Sequence, residues 1–189
     1  MFQGTLPFMA KYLCENEDAY HSAVHDCEST FWLIPWTIAF IAYEYTDDKE
    51  LQAELENMII KPLRPDNWTL KESAIGKTNL LILLRKGTLS DLPQPFHPFI
   101  PLLNKLAELV STYHQASIKL HESNSTFTTQ EAEGCIMEYL NALKKHPVDL
   151  TDWSFIKKAR TEESANRPKP RPTDIPKGRK RDDVIEREP

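Results

Sequence analysis

Residues 31–43 read FWLIPWTIAFIAY, a run with no charged side chain and with Thr37 as its single aliphatic hydroxyl. It falls short of the roughly 20 apolar residues that a bilayer-spanning helix requires, and Pro35 interrupts it. The stretch therefore predicts a helix of a protein interior, apolar nearly all round and expected to be buried on every side. Asp26 is the expected N-cap, because its carboxylate can accept from a free amide of the first turn. On this reading the helix opens with Cys27-Glu28-Ser29, where Glu28 suits the positive end of the helix dipole, and runs to about Tyr45. Pro35 then removes one backbone hydrogen bond, at a cost of about 3 kcal/mol unless a bend absorbs it.

A central helix needs neighbours, and helical spacing recurs on its C-terminal side. Leu51, Leu55, Met58 and Ile59 give a second, shorter amphipathic helix, ended by the segment from Pro62 to Pro65. A third is expected from about Thr69 to Leu84, although its run Leu80-Leu81-Ile82-Leu83-Leu84 also suits a strand. The fourth carries one stripe through Phe99, Leu102, Leu103, Leu106, Leu109, Val110, Tyr113, Ala116 and Leu120, with Pro98 and Pro101 near its start. Thr128 followed by Glu131 has the spacing of a capping box for a fifth, with Ala132, Ile136, Tyr139, Leu140 and Leu143 inward and Pro147 beyond its end. Glycine is scarce and apolar–polar alternation is hard to find, so the fold class is mainly α.

Composition supports one domain and a tail. The chain has 189 residues, 40% apolar and 27% charged, an ordinary mixture for a packed core. The domain is read over residues 1–160. Over residues 161–189 the apolar stripe vanishes, and Pro168, Pro170, Pro172 and Pro176 alternate with basic residues, so a disordered tail with some polyproline II character is expected. Residues 1–160 carry 15 Lys and Arg against 21 Asp and Glu. That acidic balance speaks against nucleic acid as a partner, since phosphate binding needs a basic surface.

The start at Met1 shows no basic segment followed by an apolar one, so no secretory signal is read there. The odd count of three cysteines, Cys14, Cys27 and Cys135, fits a reducing compartment. An intracellular place, cytoplasmic or nuclear, with no membrane partner is therefore expected. The sequons at Asn67 and Asn124 are then chance matches.

Several chemistries are tempting and fail on spacing. Gly76-Lys77-Thr78 ends like a phosphate-binding loop, but the glycine required five positions earlier is Lys71. Cys14, His21, His25, Asp26 and Cys27 are all metal-ligating types, yet no C-x-x-C pair exists and His25-x-Cys27 is tight for one tetrahedral ion, so no metal is expected. No G-x-S-x-G context supports a hydrolase. In the tail, Lys177, Arg179, Lys180 and Arg181 form a compact basic block of the kind read by nuclear import, while the tail prolines lack the PxxP spacing of SH3 ligands.

Two linked motifs resemble the fungal-type protein kinase family. Gly4-Thr5-Leu6-Pro7-Phe8-Met9-Ala10 looks like the end of that family's activation segment, and His25-Asp26-x-Glu28-Ser29 with Phe31-Trp32 and Trp36 looks like the head of the central helix of its C-terminal lobe. Trp68, Ala74 and Lys77 resemble its later part more loosely. The resemblance implies a partial kinase-like C-terminal lobe. Within it, Thr5 would belong to the loop that positions a substrate hydroxyl, Asp26 would brace the catalytic loop, and His25 would flank that brace.

The family transfers phosphate from ATP, with Mg, to protein Ser and Thr hydroxyls. The glycine-rich loop, the strand lysine, the HRD-type base and the DFG-type aspartate of such chemistry are missing from the 189 residues. All would lie before Gly4, so the chain is expected to be inactive alone, with no cofactor of its own and a protein as its partner. Tyr12 also stands where the family carries a glutamate that pins the activation segment. The alternative from a different class is a non-catalytic α-helical interaction module, nuclear through the basic block. Either way, a central helix without upstream cover is expected to leave an apolar patch and a marginally stable chain.

Overall fold

The structure, a computed structural model, describes residues 6–16, 18–64, 69–150 and 153–155. All regular elements among them are helical, and no strand occurs there. A 3₁₀ turn at Leu6–Phe8 leads into α1 (Lys11–Glu15), and α2 (Ala23–Tyr45) is the central helix. Next come α3 (Lys49–Leu55), a π-helical turn at Glu56–Ile60 and the short α4 (Lys61–Leu63). Then follow α5 (Leu70–Lys86), a 3₁₀ stretch at Gln94–Phe99, α6 (Ile100–Glu122) and α7 (Thr129–Lys145). The residues read as tail, 161–189, lie outside the described ones.

The helix α2 begins one turn earlier than its sequence suggests. Ser22 is its N-cap residue, and the His25 ring accepts the Ser22 amide through Nδ1 at 3.0 Å, the backward reach that Glu or Gln makes in an ordinary capping box. Asp26 is thus not the cap but an exposed residue of the first turn, paired with His21 at 3.1 Å. The helix continues through Pro35, whose ring is buried.

Burial of α2 is one-sided, which corrects the expectation of cover all round. Phe31, Trp32, Ile38, Ala39 and Ala42 are in the core, but Leu33 is 47% and Phe40 49% exposed. The covered face meets α1, the π-helical turn, α6, α7 and both 3₁₀ segments.

The remaining helices form where their apolar spacing places them, for local reasons that can be named. Asp48 caps α3 by accepting from Glu50 N at 2.9 Å and Leu51 N at 3.2 Å, and Gln52 clamps the turn before it by donating to the carbonyls of Tyr43 and Thr46. Thr69 caps α5, settling the five-residue apolar run as helix. Pro62 sits within α4, which ends at Leu63 with Arg64 as its C-cap, inside the expected Pro62–Pro65 segment. Thr128 and Glu131 close the capping box of α7 in both directions. Its inward face differs at one position: Tyr139 and Ala142 are buried, whereas Leu140 is 41% exposed. The Tyr113 hydroxyl donates to the Cys135 carbonyl at 2.8 Å and ties α6 to α7.

Candidate functional site

The segment before α2 is held against it by a buried carboxylate. Glu28 Oε1 accepts the Lys11 amide at 2.7 Å and the Trp32 indole N–H at 3.1 Å. Burial pushes the Glu28 carboxyl up to about 7, while those two donors and the lysines Lys77 and Lys11 pull the other way. Glu28, a residue expected only to favour the helix dipole, thus bonds the stretch before α2 to α2 itself.

Lys77 completes that attachment from α5. It is fully buried, its Nζ donates to the Met9 carbonyl at 2.6 Å, and it lies 3.7 Å from Cys14 Sγ. Loss of water holds its ammonium below the usual lysine range. Gly76 is there for close approach: a Cβ at that position would stand 2.1 Å from the Pro62 carbonyl oxygen. Thr78 Oγ1 donates to the Ala74 carbonyl. None of the three residues is arranged to cradle a phosphate.

Lys11 anchors α1 to α6. Its ammonium bonds Glu15 at 2.6 Å and lies 2.9 Å from His114 Nε2, and burial with the Lys11 charge lowers the His114 pKa. Tyr12 is buried in the same turn, its ring stacked on His25 with centroids 5.4 Å apart. A Tyr–His stack thus joins α1 to the first turn of α2.

Beside this stack, Tyr12, Tyr20, His21, His25, His121 and Phe127 line an open cleft of about 310 Å³. His25 Nδ1 accepts from Ser22 N, so the ring proton sits on Nε2 and is donated to Ser117 Oγ at 3.3 Å. Ser117 in turn donates to the Tyr113 carbonyl at 3.0 Å. The ring is neutral, its pKa lowered by burial and by His21 and His114 to about 4. In this tautomer His25 cannot take a proton from Ser117, so the pair is no nucleophile and base. The pairing of His21 with Asp26 is more than half exposed on both sides and holds little.

The sequence-stated sites divide accordingly. His25 and Asp26 are both on the first turn of α2, but His25 faces inward to Tyr12 and Ser117, while Asp26 faces outward. Thr5 and the block Lys177, Arg179, Lys180 and Arg181 lie outside the described residues. Among the described residues no three His, Cys, Asp or Glu side chains gather to hold a metal ion. No described helix is long and apolar enough to cross a membrane. Sequence reading missed Glu28 and Lys77 as buried anchors. For Lys77 the signal was present, since Ala74, Lys77, Leu81 and Leu84 share one face of α5.

No family model matches this chain, and neither a curated protein nor a solved structure matches it.

Proposed function

We propose that this chain is the supporting part of a protein-kinase-like C-terminal lobe, resembling the fungal-type family, and that it holds a substrate-docking segment without transferring phosphate itself. The observation that carries this reading is the Glu28 bond to the Lys11 amide. It fastens the segment resembling the end of an activation segment to the helix resembling the lobe's centre. The GKT sequence is spent on packing, with Lys77 buried against Met9.

The supporting role has a physical logic. A docking segment must hold its shape while a protein substrate slides past, and rigid anchoring lowers the entropy lost on binding. Three anchors from three helices do this here: Glu28 from α2, Lys77 from α5 and His114 from α6.

A second reading, the non-catalytic interaction module, is favoured by one observation, the exposure of Leu33 and Phe40 on α2. Nuclear placement would then rest on residues 177–181.

Sequencing the transcript across the 5′ side of the Met1 codon separates the two. An in-frame extension encoding HRD and DFG motifs supports the kinase reading, and Glu28→Ala in that longer protein is then expected to lower protein phosphorylation at least tenfold. A stop codon in frame without such motifs overturns it and leaves the interaction module.

A further inference from the structure

A lysine buried to its last atom must find partners or give up its proton. Lys77 does some of both: Nζ donates to the Met9 carbonyl at 2.6 Å, and burial raises the share of neutral amine. A neutral amine has a nucleophilic lone pair, and Cys14 Sγ lies 3.7 Å away. Across that distance Nζ donates to the sulfur, which sets side by side the two atoms that a nitrogen–sulfur bond would join. Cys14, although buried, stands in the wall of a second open cleft of about 350 Å³ with Leu70, Lys71, Ala74 and Thr78. A small oxidant entering there comes up against the wall behind which the sulfur and the lysine lie.

We propose that Cys14 and Lys77 are an oxidative modification site, at which hydrogen peroxide produces a sulfenamide cross-link between α1 and α5. In the first step the Cys14 sulfur attacks one peroxide oxygen and the O–O bond breaks. The departing hydroxide takes the thiol proton and leaves as water, so sulfur is oxidised by two electrons, peroxide is reduced, and Cys14 becomes a sulfenic acid. In the second step the Lys77 Nζ lone pair attacks that sulfur and the S–O bond breaks. The hydroxide leaves with one amine proton as a second water. The protein has then lost two hydrogen atoms, and no further oxidant is consumed.

The neighbourhood favours closure over further oxidation. The amine is held in place by the Met9 carbonyl, whereas a second peroxide must diffuse in. Burial pushes the Cys14 thiol up, with the Lys77 charge opposing, so the first step is slow compared with an exposed thiol. Closure also draws Nζ off the Met9 carbonyl, so oxidation releases one anchor of the docking segment while linking two helices. The proposal stands on the Cys14–Lys77 contact and not on the kinase resemblance.

The test treats the folded full chain with hydrogen peroxide and maps its tryptic peptides by mass spectrometry without reductant. Expected is a species two hydrogens lighter, in which trypsin no longer cuts after Lys77 and the peptides holding Cys14 and Lys77 stay joined until dithiothreitol is added. It should be absent from Cys14→Ser and Lys77→Met, and absent when the wild-type chain is oxidised unfolded in urea. The wild-type and urea arms decide the question even if a variant fails to fold. Sulfinic or sulfonic acid at Cys14 with Lys77 still cleaved overturns the proposal. A cysteine–cysteine disulfide accounting for the mass loss overturns it as well, as does equal cross-linking in urea.

Discussion

His25 and Glu28 stand one turn apart on α2 and carry opposite pH dependences. The folded pKa of His25 is lowered, from an unfolded value near 6.5 to about 4, so its contribution to stability is present above 6.5 and is lost as pH falls toward 4. The folded pKa of Glu28 is raised, from 4.5 to about 7, so its contribution is present below 4.5 and is lost as pH rises through 7. Each spans about 3 kcal/mol, and over pH 4.5–6.5 they oppose one another. Glu28→Gln keeps an oxygen for the Lys11 and Trp32 donors but removes the titration. Urea denaturation of that variant is expected to show stability, relative to wild type, falling by about 3 kcal/mol between pH 7 and 4.5. The reverse trend follows for His25→Gln, whose amide can still reach the Ser22 N–H: relative to wild type, it should gain about 3 kcal/mol over the fall from 6.5 to 4. A flat difference between variant and wild type across these ranges would refute either assignment.

At the scale of elements, α5 owes its position to what lies at its middle. Gly76 lets the backbone of α4 approach, and a methyl group there would meet the carbonyl oxygen, carbonyl carbon and Cα of Pro62, all within 3 Å. Backbone cannot rotate away as a side chain can. Gly76→Ala is therefore expected to cost at least about 3 kcal/mol, despite the better helix propensity of alanine, read as a lowered urea midpoint. A variant as stable as wild type would mean that α4 and α5 can part freely. The same position shows what was legible in the sequence. The helices α5, α6 and α7 could be read because spacing and caps are local: Thr69, Thr128 and Glu131 act within their own first turns. The burial of Lys77 was legible from its face of α5, but its partner Met9, like the Pro62 contact of Gly76, was not, since both are set by tertiary packing. The start of α2 was misplaced for a related reason. His25 took the part usually given to Glu or Gln, so the polar Asp26 drew the boundary one turn too late. The cleft at Tyr12 was missed because Ser117 and His121 come from the far end of α6.

For the whole molecule the unbalanced element is α2. It has the most apolar stretch of the chain, yet Leu33 and Phe40 remain about half exposed, with Ile34, Trp36 and Ile41 only partly covered beside them. Each half-exposed large side chain leaves about 1 kcal/mol of transfer free energy unrealised. The interior face already uses Phe31, Trp32, Ile38 and Ala42, so no rotation of the helix could cover both faces at once. The chain by itself is expected to be marginally stable and to associate through this stripe as its concentration rises. Replacing Leu33 by Ser and Phe40 by Lys together should lower the unfolding free energy by only about 2 kcal/mol, the share of the two side chains that is buried. The same pair of changes should abolish concentration-dependent association in analytical ultracentrifugation. Unfolding of the double variant well below wild type would mean that the stripe belongs to the core. A sharp, cooperative, high-temperature melt of monomeric wild-type protein would remove the need for any covering partner, because the other described helices would then suffice to hold α2.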